Sequence, residues 1–284
     1  MRKRVAPILG AILVMGGLAA GGSWWLMSPG TPDPDVADAE LPVPPVPPRL
    51  AQSDEYERCL AMLETDPAGA KAYAEVWRPH GGGDGSAHCA GLAEIALGYP
   101  AEGAAALEAL AGSSTAPELA RASVFDQAVQ AWMMAEEPEH AFTAATKALA
   151  LSPDDPDLLI DRATAAVDLG RGPAAVEDLD RALAIAPRRV EALILRAAAL
   201  RRTGALDEAT RDIDSAIALD PDNPEALLER GILRERTGDR LGARADWERT
   251  ISLDPDSTTA DLAEQNIALL DAGPALAGSG QSAR

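Results

Sequence analysis

Cys59, His80, His88 and Cys89 are the side chains best equipped for metal chemistry, because thiolate and imidazole are the ligands zinc prefers. Their spacing matches no compact metal motif. There is no C-x-x-C pair for redox exchange and no C-x-x-C-H for haem attachment. Cys59 and Cys89 are the only two cysteines in the chain. In an oxidising compartment such a pair is expected to bond. A Cys59–Cys89 disulfide would close a 31-residue loop. Loop-closure entropy puts its worth at about 3.5 kcal/mol before any native-state strain. Two free buried thiols are the alternative. No metal and no other cofactor is expected.

A second set of reactive types recurs along the chain. Arg162, Arg196 and Arg230 are spaced by 34, and so are Asp178, Asp212 and Asp246. Carboxylates beside guanidiniums can do acid–base work, but no nucleophile, phosphate-binding loop or histidine accompanies them, so the chain is not expected to be an enzyme. The expected role is an arginine–aspartate pair within ~4 Å bridging helices at each step of the period. A partly exposed pair of this kind fixes register more than it stabilises.

The elements that must hold these residues are helical. Aromatic residues make up 4% of the chain and no long alternating β-branched run occurs, which suits close-packed helices better than sheets. Pro153, Pro187, Pro221 and Pro255 step by 34, as do Gly170, Gly204 and Gly238, the alanines 141, 175, 209 and 243, and Leu159, Leu193 and Leu227. A 34-residue period built from two short helices is the arithmetic of a solenoid. Each proline stops a second helix, and each glycine takes the turn between helices, where a left-handed backbone costs it little. Ala163, Ala197 and Gly231 on the first helices, with the alanine series on the second, let paired helices approach closely.

These positions resemble the tetratricopeptide repeat family. Its pattern has a small residue at position 8, glycine near 15, alanine at 20 and 27 and proline at 32, and copies starting at Pro156, Val190 and Pro224 meet nearly all of it. A weaker copy starts near Ala122, with Glu136 where glycine is usual. Leu159, Leu193 and Leu227 replace the family's aromatic, Ala166, Leu200 and Arg234 its tyrosine, and Thr250 its last small residue. The resemblance implies an all-α, right-handed superhelical solenoid of antiparallel helix pairs. Residues 54–115 read more loosely as two divergent pairs, with the stretch from Pro79 to His88 as a flexible turn and a slip of register over Ser113–Leu119. Residues 116–255 hold the repeats, and 256–272 a capping helix with a polar outer face.

The family's concave face implies a partner-binding groove. Its second position gives Asp157, Glu191 and Glu225, its fifth Ile160, Ile194 and Leu228, and its ninth Thr164, Ala198 and Ile232. An apolar stripe beside an acidic one suits an extended protein segment carrying apolar and basic residues. Alternatively, the aliphatic rung packs between helices and only the acids face solvent. The lysines and asparagines with which some repeats of this family clamp a terminal carboxylate are missing from these positions.

Outside the repeats, composition points to a compartment. The formal charge is −20, and the first four residues, Met1–Arg4, carry +3, so the remainder is near −23. Such a surface repels phosphate backbones, and nucleic acid is not an expected partner. Basic Met1–Arg4 precedes 23 uncharged residues ending near Trp24 and Trp25. That reads as a transmembrane anchor over residues 1–27 with the rest exported, or as a cleaved signal peptide. A proline-rich spacer (28–53) follows, and residues 273–284 form a small, polar tail. The expectation is therefore a non-catalytic scaffold in the cell envelope, held at the inner membrane with its repeats in the periplasm, or secreted there if cleaved. The alternative is a structural spacer or assembly-factor subunit bound through its convex side.

Overall fold

Prolines and short polar caps divide the chain into helices. The computed structural model describes residues 49–273, and among these thirteen α-helices follow one another without a strand. They are α1 (Asp54–Met62), α2 (Pro67–Trp77), α3 (Gly83–Ala96), α4 (Pro100–Ser113), α5 (Glu118–Met134), α6 (Pro138–Leu151) and α7 (Pro156–Asp168). After them come α8 (Gly172–Ile185), α9 (Val190–Thr203), α10 (Leu206–Leu219), α11 (Pro224–Thr237), α12 (Arg240–Leu253) and α13 (Thr258–Ala272). The second helices α6, α8, α10 and α12 all end two residues before the periodic proline. Several first helices open on a side-chain cap: Asp155 accepts from the amide of Asp157, Asn223 from Ala226 and Ser257 from Ala260.

One turn is used five times. The amide of Gly170 donates to Val167 and that of Arg171 to Ala166, and the same two bonds recur at Gly204, Gly238, Gly98 and Glu136. All five residues have positive φ, and Glu136, at 58°, is the one non-glycine among the described residues that does. The turn at Gly98 makes α3–α4 a degenerate copy of the regular pair. Gly98 and Glu136 lie 38 residues apart, four more than the period. The surplus sits in α5, whose 17 residues exceed the 13 of α7 by about one turn. That extra turn is the slip of register expected over Ser113–Leu119. The flexible turn expected from Pro79 to His88 is shorter than its glycines imply: Arg78–His80 forms a 3-10 turn and α3 already begins at Gly83. Gly85 and His88 are buried within that helix, so packing holds a sequence of low helix propensity in place.

The periodic alanines are fully buried between helices. Trp247 on α12 stands where Leu179 and Ile213 stand two periods and one period earlier, and all three are buried. Opposite it, Gly231 replaces Ala163 and Ala197, and a Cβ there would lie 2.3 Å from the indole Nε1. The larger wedge is matched by a smaller wall. First helices touch their counterparts in the next pair (α5 with α7, α7 with α9, α9 with α11, α11 with α13), whereas second helices stand further apart, so the first helices form the inner row.

The capping helix differs from expectation. The outer side of α13 is not uniformly polar, because Leu262 and Leu269 are 50% and 62% exposed. Residues 1–27, the spacer up to residue 48 and the tail beyond Gly273 lie outside the described residues, and the anchor or signal reading lies there with them. Among the described residues no helix is long and apolar enough to cross a membrane.

Candidate partner-binding face

The inner row carries the side chains that could meet a partner. The second-position acids Asp157, Glu191 and Glu225 are not buried. Arg189, in the turn before α9, pairs with Asp157 and lies 4.0 Å from Glu191, a cation between two acidic rungs. The fifth-position rung is different. Ile160 and Ile194 are only 2% and 8% exposed and belong to the hydrophobic core, while Leu228 is half-buried. Ile160 and Ile194 are therefore core and offer a ligand almost no surface. Thr164, Ala198 and Ile232 at the ninth position are half-buried. The Thr164 hydroxyl donates to the Ile160 carbonyl at 3.0 Å.

The sixth position, which sequence reasoning passed over, is where the inner face is most unusual. It holds Asp161 on α7, Leu195 on α9 and Glu229 on α11. Asp161 hydrogen-bonds to Asp126 of α5, and burial together with that neighbouring carboxylate pushes it up to about 8. Burial raises Asp126 as well, and its Oδ1 has no hydrogen-bond partner. Burial and mutual repulsion therefore favour one proton held between the two carboxyls. Glu229 is buried and paired with Arg201 of α9, whose Nη2 lies 3.2 Å from Oε2; burial still holds its carboxyl above the ordinary range. A polar residue at positions 5 or 6, where neighbouring repeats are aliphatic, was the available signal.

The arginine–aspartate ladder stands where its spacing placed it. Arg162 reaches Asp178 at 2.5 Å, Arg196 reaches Asp212 at 2.7 Å and Arg230 reaches Asp246 at 2.6 Å, each linking the first and second helix of one pair. Two guanidinium nitrogens engage the carboxylate in every case. The aspartates are buried, so these are not the weak surface pairs their sequence context implied. Removing one partner of a buried pair costs about 3–5 kcal/mol, because the other charge is stranded. A further set of arginines caps helix ends: Arg202 donates to the Val167 carbonyl at 2.9 Å, and Arg236 to the Arg201 carbonyl at 3.0 Å.

At the amino-terminal end, Cys59 of α1 and Cys89 of α3 are joined by a disulfide with their Cα atoms 6.2 Å apart. The sulphurs are therefore not thiolate ligands. His88 Nδ1 lies 2.6 Å from the Tyr56 hydroxyl and Nε2 lies 2.6 Å from Gln127 Oε1. Burial lowers His88, and a neutral ring that donates from Nε2 to Gln127 and accepts from Tyr56 satisfies all three groups. Burial pushes the Tyr56 hydroxyl up to about 12. His80 is exposed, with Nδ1 2.8 Å from the Val76 carbonyl. These side chains do not converge on one point. Above the hydrogen-bonded trio lies a cavity of about 280 Å³, walled by Leu50, Leu92 and Val124.

Two family models described as tetratricopeptide repeat match residues 160–224 and 195–268. Residues 160–268 are tetratricopeptide repeats (TPRs). The second match runs beyond the last proline of the period and into α13, which stands as the first helix of a further TPR. Among solved structures, a TPR protein from Parabacteroides merdae superposes with a TM-score of 0.65 over 78% of this chain and 88% of its own, at 17% identity. A thermophilic TPR protein of Thermus thermophilus gives 0.52 over 66% and 98%, at 18% identity. MamA from Desulfovibrio magneticus gives 0.52 over 73% and 99%, at 16%. At such identities the likeness is one of fold. No curated protein matches the sequence. TPRs are in general modules of protein–protein interaction.

Proposed function

We propose that the chain is a non-catalytic scaffold of the cell envelope whose TPR stack holds an extended segment of a protein partner along its inner face. The observation that carries this reading is the row of carboxylates, Asp157, Glu191 and Glu225, beside the half-buried surface of Thr164, Ala198, Leu228 and Ile232. Complementary chemistry is a segment with basic residues at intervals and apolar residues between them. The chain's charge of −20 favours encounter with such a partner. Catalysis has no support on this face: the ladder arginines and aspartates are consumed in pairing helices.

The envelope location rests on two features. Residues 1–27 combine basic residues, an uncharged run and terminal tryptophans, and a disulfide persists in an oxidising compartment. An alkaline phosphatase fusion after Leu50, which is active only when exported, is expected to be active; an inactive fusion rejects the location. The inner face is tested with a labelled 15-residue peptide carrying arginine and leucine. The triple variant Asp157→Asn/Glu191→Gln/Glu225→Gln should bind it at least tenfold more weakly with an unchanged helical melt. Equal binding rejects the groove. The second reading, a spacer or assembly subunit bound through the convex side, is favoured by a trough of about 620 Å³ on that side, floored by Ala87, Ala90 and Gly91 of α3.

A further inference from the structure

A helical stack needs terminal repeats with a polar outer face, or its last apolar surface stays open. In this chain the fifth-position side chain becomes steadily less covered along the stack. Ile160 is 2% exposed, Ile194 8%, Leu228 half-buried and Leu262 50%. The first three are followed by another first helix. α13 packs on α11 and α12, and among the described residues no later helix follows it. Leu269, at position 12 of α13, is likewise 62% exposed, whereas Arg201 at the same position of α9 is tied to Glu229 of the next repeat. At 100° per residue Leu262 and Leu269 project within about 20° of each other, one above the other along the helix. Gln265 and Ala272 continue the exposed sector beside them, and Asp261 borders it, whereas Glu264 stands roughly 150° round the helix from the leucines.

The charge around this sector is one-sided. α13 contains no lysine or arginine. The nearest cations are occupied: Arg244 pairs with Asp271 and lies 3.7 Å from Glu248, and Arg240 donates to the Leu270 carbonyl. A second copy stacked face to face would set Asp261 against its own duplicate, which electrostatics opposes.

We infer that the outer face of α13 is a docking surface for an amphipathic helix of a protein partner, one with leucine-type residues at i and i+7 flanked by lysine or arginine, which continues the solenoid as the next first helix would. This surface is separate from the acidic rungs of the inner face, and it stands or falls without them. The partner's apolar stripe covers Leu262 and Leu269, and its cations meet Asp261. This is the helix-on-helix packing already made four times inside the molecule by α5, α7, α9, α11 and α13, with one participant supplied in trans.

The probe is a fluorescent 14-residue amphipathic peptide of leucine and lysine, compared with a scrambled peptide of the same composition and a leucine–glutamate peptide, against the full chain. Binding is expected for the ordered leucine–lysine peptide alone. Leu262→Lys/Leu269→Lys should weaken it at least tenfold, and Asp261→Asn several-fold. The second variant replaces only an exposed polar group and decides the matter should the leucine variant fail to fold. Asp157→Asn/Glu191→Gln/Glu225→Gln should leave this binding unchanged. Equal affinity for the leucine variant, or for the leucine–glutamate peptide, overturns the proposal. A concentration-dependent dimer that the leucine variant abolishes assigns the face to a second copy and overturns it too. So does a deletion of residues 274–284 that newly exposes the Leu262 and Leu269 methyls to a soluble paramagnetic probe, which assigns the face to the chain's own tail.

Discussion

Glu136 holds a left-handed backbone, φ 58°, at the turn that Gly98, Gly170, Gly204 and Gly238 make elsewhere. A side chain in that region costs roughly 1–2 kcal/mol, of which glycine's larger unfolded-state entropy takes back a part. Glu136→Gly is therefore expected to stabilise the protein by about 1 kcal/mol in urea denaturation, with an unchanged slope. Asp161 makes a prediction of opposite character. Its folded-state value, about 8, lies above the ordinary carboxyl value, so between pH ~4 and ~8 the folded state keeps a proton that the unfolded state has lost. Stability from this group is full below pH ~4 and is lost as pH rises toward 8. Asp157, Glu191 and Asp126 face it, Asp155 ahead of α7 acts on Asp126, Gln130 of α5 reaches Asp126 at 3.4 Å, and Arg189 is already paired with Asp157. Asp161→Asn keeps a donor for Asp126 without the titration. Its melting temperature should exceed the wild type's at pH 8.5, and the gap should shrink steadily toward pH 4. A gap independent of pH removes the shared proton. Neither residue was readable for what it does. Glu136 was visible only as a departure from glycine, and the carboxyl pair needs α5 and α7 brought side by side.

At the scale of helices, Gly231 and Trp247 change the packing of the repeat by exchanging volume between partners. Gly231→Ala forces the indole to move, because the new methyl would fall 2.3 Å from Nε1, and overpacking of this kind costs about 1–3 kcal/mol. Trp247→Leu restores the size that Leu179 has in its own repeat. In that background the alanine is expected to cost at least ~1 kcal/mol less, a coupling that a double-mutant cycle of unfolding free energies measures. Additive effects would mean the two residues do not share their volume. The exchange is written in the sequence as a glycine in the alanine column and a tryptophan in the aliphatic column. The helices themselves were legible for the same reason: proline, glycine and alanine recur where only their backbone or size fits. The outward or inward sense of position 5 was not legible, because Ile160 and Leu262 are the same kind of residue at the same phase. What separates them is whether another helix follows.

Across the whole molecule, the divergent amino-terminal pairs and the regular TPRs are held by different means. α1 and α3 are cross-linked by Cys59–Cys89, whereas the later repeats rely on buried arginine–aspartate pairs and alanine packing. Cys59→Ser/Cys89→Ser is expected to cost about 3.5 kcal/mol by loop closure. Amide exchange should rise first in α1 and α2, while α7–α12 keep their protection. Uniform loss of protection would show the stack to be a single cooperative unit. The disulfide partners were legible from cysteine count alone, whereas the Tyr56–His88–Gln127 chain beside them joins residues 32 and 39 positions apart that no local spacing links.

The arginine caps give the stack an arrow. Arg202 of α9 donates to the end of α7, and Arg236 of α11 to the end of α9, so these two first helices each borrow a hydrogen bond from the repeat downstream, whereas α13 takes one at Leu270 from Arg240 upstream. Across α7 to α11, a break that travels from the carboxyl end strips a donor from the first helix it reaches, while one that travels from the amino end leaves those two helix ends capped. Over that stretch the two directions are thus unequal: shortening from the carboxyl side uncaps the first helix left behind, and shortening from the amino side does not.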